Sequence, residues 1–364
     1  MSAPEDVYRQ DVDLPVVDPA DFDVPAVDQP DLDVPAVDQP DVDLPVVDQP
    51  VVDLPDGDSP AIDPSVALLV PQTRSGFVAL AGRPNVGKST LVNTIVGGKV
   101  AIVSDRPQTT RRAIRGVHTD GSCQLVLVDL PGVQRPRDAL TERMAGRVRQ
   151  ELDGSDAALL LLNGEQGIGP GDRYIARALT EGATPVAIAV NKVDRLDRAA
   201  TVAMLTAADE LQVAEEIFPI SARTGKGVPA LVEHLSGLMP AGHFMFPADS
   251  ISDQPLGLLL AELVREAAIR RTFQELPHAV EAIVEEIERP REGLTRVRAL
   301  IWVETESQKG IVVGAGGRMI KAIGSAARKE IERELGCHVH LDLSVRVRRD
   351  WRGDEGLLDR LGIT

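Results

Sequence analysis

Nine residues, Gly82-Arg83-Pro84-Asn85-Val86-Gly87-Lys88-Ser89-Thr90, restrict this chain more than any other stretch. They fit G-x-x-x-x-G-K-[ST], and the flanks are those the pattern needs. An apolar run at residues 77–81 reads as a buried strand before it, and residues 91–96 read as a helix after it. Glycines let a backbone wrap a polyphosphate, with N–H groups and a helix N-terminus facing the negative charge. Lys88 then reaches the β- and γ-phosphate oxygens, and the Ser89 hydroxyl is placed for Mg2+. An ordinary tight turn between a strand and a helix needs neither group at these offsets.

From residue 75 the chain alternates strands and helices. Strands are expected at 113–119 and 123–128, joined through Asp120-Gly121 as a hairpin, then at 157–162, at 185–190 and just before Ile220. Helices are expected at 140–152, 174–179 and 199–212. This rhythm implies an α/β domain with a mainly parallel sheet covered on both faces, its ligand beyond the carboxyl ends of the strands. Asp129-Leu130-Pro131-Gly132, Asn191-Lys192-Val193-Asp194 and Ser221-Ala222-Arg223 all stand at such ends.

These stations carry a specific chemistry. Ser89, Thr110 and Asp129 are the candidate metal ligands, with Thr109 an alternative hydroxyl from the polar segment 104–112. The Gly132 N–H can meet a γ-phosphate only while that phosphate is present, so both segments should order with triphosphate. The Asp194 carboxylate can accept from N1–H and the exocyclic amine of guanine, a donor pair adenine lacks, and the Ala222 N–H can donate to O6. The GTP-binding candidates are thus Gly82, Arg83, Pro84, Asn85, Val86, Gly87, Lys88, Ser89, Thr90, Asp129, Gly132, Asn191, Lys192, Asp194, Ser221 and Ala222. Lys88, Thr109 and Thr110 are candidates for catalysis. Val133 follows D-x-x-G where Ras-like enzymes place a water-orienting glutamine, so intrinsic turnover should be slow unless another group completes the site.

Charge and cysteine usage bound the surroundings. The net charge of −17 belongs to the N-terminus: residues 1–64 hold eighteen acidic residues and one basic, Arg9, and the remainder sums to zero. That segment is a decapeptide repeat, approximately D-x-D-[VL]-P-x-V-D-x-x, whose prolines and mutually repelling aspartates point to an extended, disordered tail. A Ca2+ array or a nucleic-acid mimic folding back on a basic surface is the sharper alternative. Cys123 and Cys337 fit no metal or redox spacing and suit a cytosolic protein. No apolar run approaches a membrane span, and the N-terminus lacks a basic segment before an apolar one.

The stretches G-R-P-N-V-G-K-S-T, P-Q-T-T-R, D-L-P-G, N-K-V-D and S-A-R resemble the translation-factor-related GTPases that assemble ribosomes. Residues 242–249, 262–266 and 275–278 are similar to the interdomain linker and the opening of the C-terminal domain in the Era family. Leu130 departs from that family's usual Thr. The resemblance implies a GTPase joined to an α+β type II KH domain that binds the 3′ region of small-subunit ribosomal RNA and assists subunit maturation. It also implies a K+ site at Asn85, which joins Lys88, Thr109 and Thr110 as a catalytic candidate, in addition to Mg2+. Boundaries follow at 1–72 for the tail, 73–241 for the GTPase domain, 242–255 for the linker and 256–364 for the KH domain.

The C-terminal residues support this independently. Residues 280–288 and 295–304 alternate as half-buried strands do, and G-x-x-G at Gly314-Ala315-Gly316-Gly317 lies between two helical stretches. Residues 296–352 carry twelve basic and seven acidic residues, with Arg318, Lys321, Arg328 and Lys329 the candidate RNA contacts and residues 345–349 a further basic run. G-A-G-G has no lysine, so attraction must come from backbone N–H groups and neighbours. The rival reading is a GTP-dependent switch whose C-terminal domain binds a protein or a membrane surface. The expected location is the cytoplasm, with peripheral contact at the inner face of the cell membrane as an addition.

Overall fold

The computed structural model describes residues 73–104, 109–132, 139–273, 276–361 and 363. The acidic repeat, residues 105–108 and Val133 lie outside the described residues. Arg74–Ala81 (β1) leads into the phosphate loop and Lys88–Val96 (α1). Ile114–Asp120 (β2) and Cys123–Asp129 (β3) form the hairpin. Then come Ala139–Asp153 (α2), Ala157–Asn163 (β4), Pro170–Thr180 (α3), Val186–Asn191 (β5), Arg198–Asp209 (α4), Ile217–Pro219 (β6) and Val228–Leu238 (α5). The sheet order is β2-β3-β1-β4-β5-β6, parallel except for β2.

The run Ala158-Leu159-Leu160-Leu161-Leu162 shows why this sheet needs two covers. Successive strand side chains point to opposite faces. Leu159 and Leu161 enter the core shared with α1 and α5, whereas Leu160 and Leu162 enter the core shared with α3 and α4. All four leucines are fully buried.

A second core forms around Leu256–Ile269 (α6), Leu276–Ala279 (α7), Glu281–Arg291 (β7), Leu294–Val303 (β8), Glu306–Val313 (α8), Arg318–Leu335 (α9) and His338–Val347 (β9), and Glu355–Arg360 (α10) follows. Its sheet runs β7-β8-β9, the first pair antiparallel and the second parallel. Thr305 and Gln308 make a reciprocal cap at the start of α8, which fixes where the helix enters from β8.

Residues 242–255, expected as a linker, form a bonded strap. The fully buried Gln124 accepts from the Met245 and Phe246 N–H groups at 2.8 and 2.9 Å and donates to the Phe246 carbonyl at 2.9 Å. Val117 N–H donates to the Ile251 carbonyl at 2.9 Å, and Ser252 Oγ to the Arg115 carbonyl at 2.7 Å. The C-terminal residues Trp351, Leu357, Leu358, Leu361 and Ile363 cluster with Leu140 and Met144 of α2. No helix among the described residues is long and apolar enough to cross a membrane.

Candidate functional site

The phosphate loop is shaped by positive backbone angles and close approaches. Gly87 has φ +106°, and a Cβ there would sit 2.3 Å from Asn191 Nδ2. A Cβ on Gly82, at φ +153°, would sit 2.7 Å from the Leu161 carbonyl. Glycine alone fits both places without displacing a neighbour. Asn85 is left-handed at φ 64° and lines the cleft together with Pro84, Lys88, Ser89 and Thr90. Gly132, Thr109, Thr110 and Lys192 stand on its other walls.

Lys88 is buried at the floor, its Nζ donating to the Gly82 and Arg83 carbonyls at 3.1 and 3.2 Å. Burial pulls its pKa down to about 8, against the opposing pull of Asp129. Ser89 Oγ donates to Asp129 Oδ2 at 2.6 Å, and Thr110 Oγ1 donates to the same oxygen at 3.2 Å. Asp129 Oδ1 is buried without a partner among the described residues. Burial raises the Asp129 pKa, opposed by Lys88 and the two hydroxyls. Two hydroxyls and a carboxylate with one unused oxygen suit a hard divalent cation. Between the two candidate threonines, Thr110 is the one whose hydroxyl meets Ser89 and Asp129.

Other expected residues take different positions. The Arg83 side chain turns to α3, its Nε 2.8 Å from Asp172 Oδ2, so only its backbone belongs to the loop. Asn191 acts as a brace: Nδ2 donates to the Val86 carbonyl at 2.8 Å, and Oδ1 accepts from Lys192 and Ala222 N–H at 2.7 and 2.9 Å. The Ala222 N–H expected at guanine O6 is therefore engaged by Asn191. Asp194, the residue expected to read a base, accepts from Ser221 Oγ and Arg223 Nη2, each at 2.7 Å. The Ser221 hydroxyl, and after it Arg223, hold the Asp194 carboxyl below its usual range despite some burial.

In the C-terminal domain the G-x-x-G loop forms a 3-10 turn with Gly314, Gly316 and Gly317 at φ 71°, 60° and 76°. Arg318 Nε donates to the Ala315 carbonyl at 3.2 Å. Behind the loop, α9 and β9 form a groove lined by Ile320, Lys321, Arg328, His340, Leu341 and Leu343, among others. Lys329 lines a different groove, between α9 and α6. The basic run at 345–349 is also divided: Val345 and Val347 pack toward α9, while Arg346 is exposed on the opposite face of β9, which ends at Val347. The apolar floor of the groove had no motif to announce it; only the alternation in residues 339–347 hinted at it.

Sequence reasoning missed the fate of Arg111 and Arg112. Both are buried and bonded to the C-terminal domain. Arg111 Nη1 pairs with Glu281 Oε2 at 2.7 Å and its guanidinium lies 5.2 Å from the centre of the Trp351 ring. Arg112 Nη1 pairs with Glu262 Oε1 at 2.5 Å, and its Nε donates to the Leu361 carbonyl. They follow Thr110 directly, so the segment that reaches the cleft is continuous with the one that reaches the second domain.

Comparison with known proteins follows the same division. The model of the 50S ribosome-binding GTPase family matches residues 77–192, and the KH domain model matches residues 275–352. GTPase Era of Mycobacterium tuberculosis strain H37Rv is 45% identical over 295 residues, covering 79% of this chain and 98% of the relative. GTPase Era of Carboxydothermus hydrogenoformans is 44% identical, with 80% and 98% covered. A crystal structure of Era with MgGDPNP and nucleotides 1506–1542 of 16S ribosomal RNA aligns with TM-score 0.77 at 34% identity, covering 80% of this chain and 99% of that one. Aquifex aeolicus Era bound to GDP.AlF4- aligns with TM-score 0.76 at 34% identity, covering 80% and 100%.

Proposed function

The chain belongs to the Era family of GTPases, and on that premise we propose that its KH domain binds the 3′ region of small-subunit ribosomal RNA, under control of the bound nucleotide, to assist maturation of that subunit. The observation that carries this reading is one continuous segment, residues 109–112, with Thr110 on Asp129 in the nucleotide cleft and Arg111 on Glu281 beside the KH sheet. The GTPase-domain model has a description that refers to the 50S particle, but its match ends at residue 192, before the KH domain. The small-subunit assignment rests on the KH groove and on the solved Era bound to 16S RNA.

In this reading Lys88 meets the β- and γ-phosphates, and Ser89, Thr110 and Asp129 hold Mg2+. Bound there, the ion would supply positive charge against the phosphate oxygens. Asp194, kept ionised by Ser221, accepts from guanine once Arg223 yields. Asn85 at the lip is assigned to K+, which would stabilise charge near the β–γ bridging oxygen. In the KH domain, phosphates run along Gly314–Gly317 and Lys321, and bases lie on Ile320, Leu341 and Leu343. We place the protein in the cytoplasm. The test is binding of a short single-stranded 16S 3′-end RNA to the full chain with GDPNP and with GDP. Tighter binding with GDPNP is expected. No binding in either state, with retention on anionic vesicles, would favour a membrane-surface partner instead.

A further inference from the structure

Every residue flanking Thr110 in this segment is held by the other domain. The Thr109 carbonyl accepts from Arg265 Nη2, a guanidinium on α6 that is fully buried. The Arg111 side chain donates to the Val280 and His278 carbonyls at 2.9 and 2.7 Å besides its pair with Glu281. Arg265 in turn pairs with Glu262 at 2.6 Å, and Glu262 also holds Arg112. The Thr110 hydroxyl points the other way, toward Ser89 and Asp129.

Stability does not call for this arrangement. A buried ion cluster costs desolvation that apolar residues of the same volume avoid, so replacing one by packed side chains is often neutral or favourable. Here the cluster is not even fully satisfied, since Arg111 Nε and Arg265 Nη1 are buried without a hydrogen-bond partner among the described residues. Although burial pushes Glu281 up, Arg112, Arg111 and Arg265 together hold its carboxyl at about 2, so the cluster stays ionised at neutral pH. What such a cluster supplies, and an apolar patch does not, is fixed direction. Planar guanidinium forks specify where a backbone carbonyl and a carboxylate must stand.

We propose that Arg265, with Glu262 and Glu281, is a positioning element for the GTPase reaction: the KH domain, through the Thr109 carbonyl and the Arg111 and Arg112 side chains, sets where the Thr110 hydroxyl stands over the metal-holding pair Ser89 and Asp129. This rests on the reading of Ser89, Thr110 and Asp129 as that metal-holding set. The second domain thereby completes the nucleotide site in cis. Binding energies are reciprocal, so whatever moves Thr110 also loads the same contacts from the other side.

The experiment uses the full chain and three variants, Thr110→Ala, Arg265→Lys and Glu281→Gln. The Arg265 substitution keeps the charge but loses the fork that reaches both Glu262 and the Thr109 carbonyl. GTP turnover is measured as kcat and KM, and Mg2+ half-saturation is read from binding of a fluorescent non-hydrolysable GTP analogue. A displacement of order 1 Å at a reacting group costs up to about a hundredfold, so Arg265→Lys should lower kcat by at least about tenfold. It should also raise the Mg2+ half-saturation several-fold, with GDP affinity within about twofold of the parent. A merely structural role would weaken GDP and the GTP analogue alike. Glu281→Gln, close in shape, should move the same two readouts in the same direction, and a circular-dichroism melt of each variant guards against a folding defect.

Should Thr110→Ala raise the Mg2+ requirement while folded Arg265→Lys and Glu281→Gln match the parent, the positioning role is overturned and the metal-site reading stands. Should Thr110→Ala itself be silent, the metal-site reading falls and the proposal with it.

Discussion

In the nucleotide domain, Lys88, Ser89, Asp129 and Asn191 come from three places in the sequence; Ser89 bonds Asp129, while Lys88 and Asn191 both donate to carbonyls of the phosphate loop. In the KH domain, Lys321 and Arg328 stand on one helix face above leucines of an edge strand, and the floor between them is apolar. Both are proposed as places for phosphate, yet they are organised differently. The first is made of buried charges and fixed donors, where each group is worth much because water is excluded and the partner is already aimed. The second is made of shape, loop backbone and partly exposed cations, whose contributions are individually modest and sensitive to salt. Single substitutions should therefore have steep effects in the cleft and shallow ones in the groove.

The steepest test is at the base. Asp194→Asn removes the acceptor for two guanine donors, and sites that lose such a pair discriminate by at least about a hundredfold. GTP affinity should fall by that order, and xanthosine triphosphate, with a carbonyl in place of the amine, should gain. Competition binding with the two nucleotides measures it. Undiminished GTP affinity would take Asp194 out of the site. In the groove, Ala315→Asp combined with Gly316→Asp sets two negative charges against sugar-phosphate. RNA affinity should drop at least about tenfold, with GTP affinity unchanged. Gly316 tolerates the change in space, since a Cβ there meets nothing within 4 Å, though φ +60° adds some backbone strain. A circular-dichroism melt therefore accompanies the binding measurement.

The same contrast explains what could be read from the sequence. The phosphate loop, Asp129, Asp194 and G-x-x-G stood out as candidates because the chemistry expected of them demands fixed residue types at fixed short spacings. The parallel sheet was legible in runs such as residues 157–162. Arg111 and Arg112 looked like exposed cations of a polar loop, because burial by a helix 150 residues away leaves no local mark. Gln124 looked like an ordinary strand polar residue, although it holds the strap at Met245 and Phe246. The Lys321 and Lys329 assignments were equal on charge. Only the rotation of α9 between β9 and α6 separates them.

That separation gives the next test. Lys321→Gln should weaken RNA binding by a few-fold and reduce the steepness of the salt dependence by about one unit of log K against log salt. Lys329→Gln, facing the α6 groove, should leave both nearly unchanged. Fluorescence anisotropy with the 3′-end RNA across a salt series measures both. Equal losses would mean that RNA spans both faces of α9 and that the groove against β9 is not the boundary of the site.

The smallest expected effect, between pH 7 and 8, lies at Lys88, where burial has set the pKa near 8 instead of 10.5. The free protein therefore carries this lysine partly neutral just above pH 8, whereas a bound polyphosphate favours the charged form and must restore the proton. Affinity for GDP or GTP should fall only about twofold between pH 7 and 8, then approach a tenfold loss per pH unit above it. Phosphate oxygens are already ionised in that range, so their own titration does not mask the change. The folding contribution runs in the opposite direction. Between about pH 8 and 10.5 the folded state binds fewer protons at Lys88 than the unfolded chain, so this group's contribution to stability rises with pH across the window in which nucleotide affinity falls. Calorimetric titration of GDP at pH 8, in two buffers with different ionisation enthalpies, should register uptake of about half a proton per nucleotide. Zero uptake there, with affinity flat to pH 9, would mean that Lys88 stays fully charged in the free protein and that the cleft floor is better solvated than its burial implies.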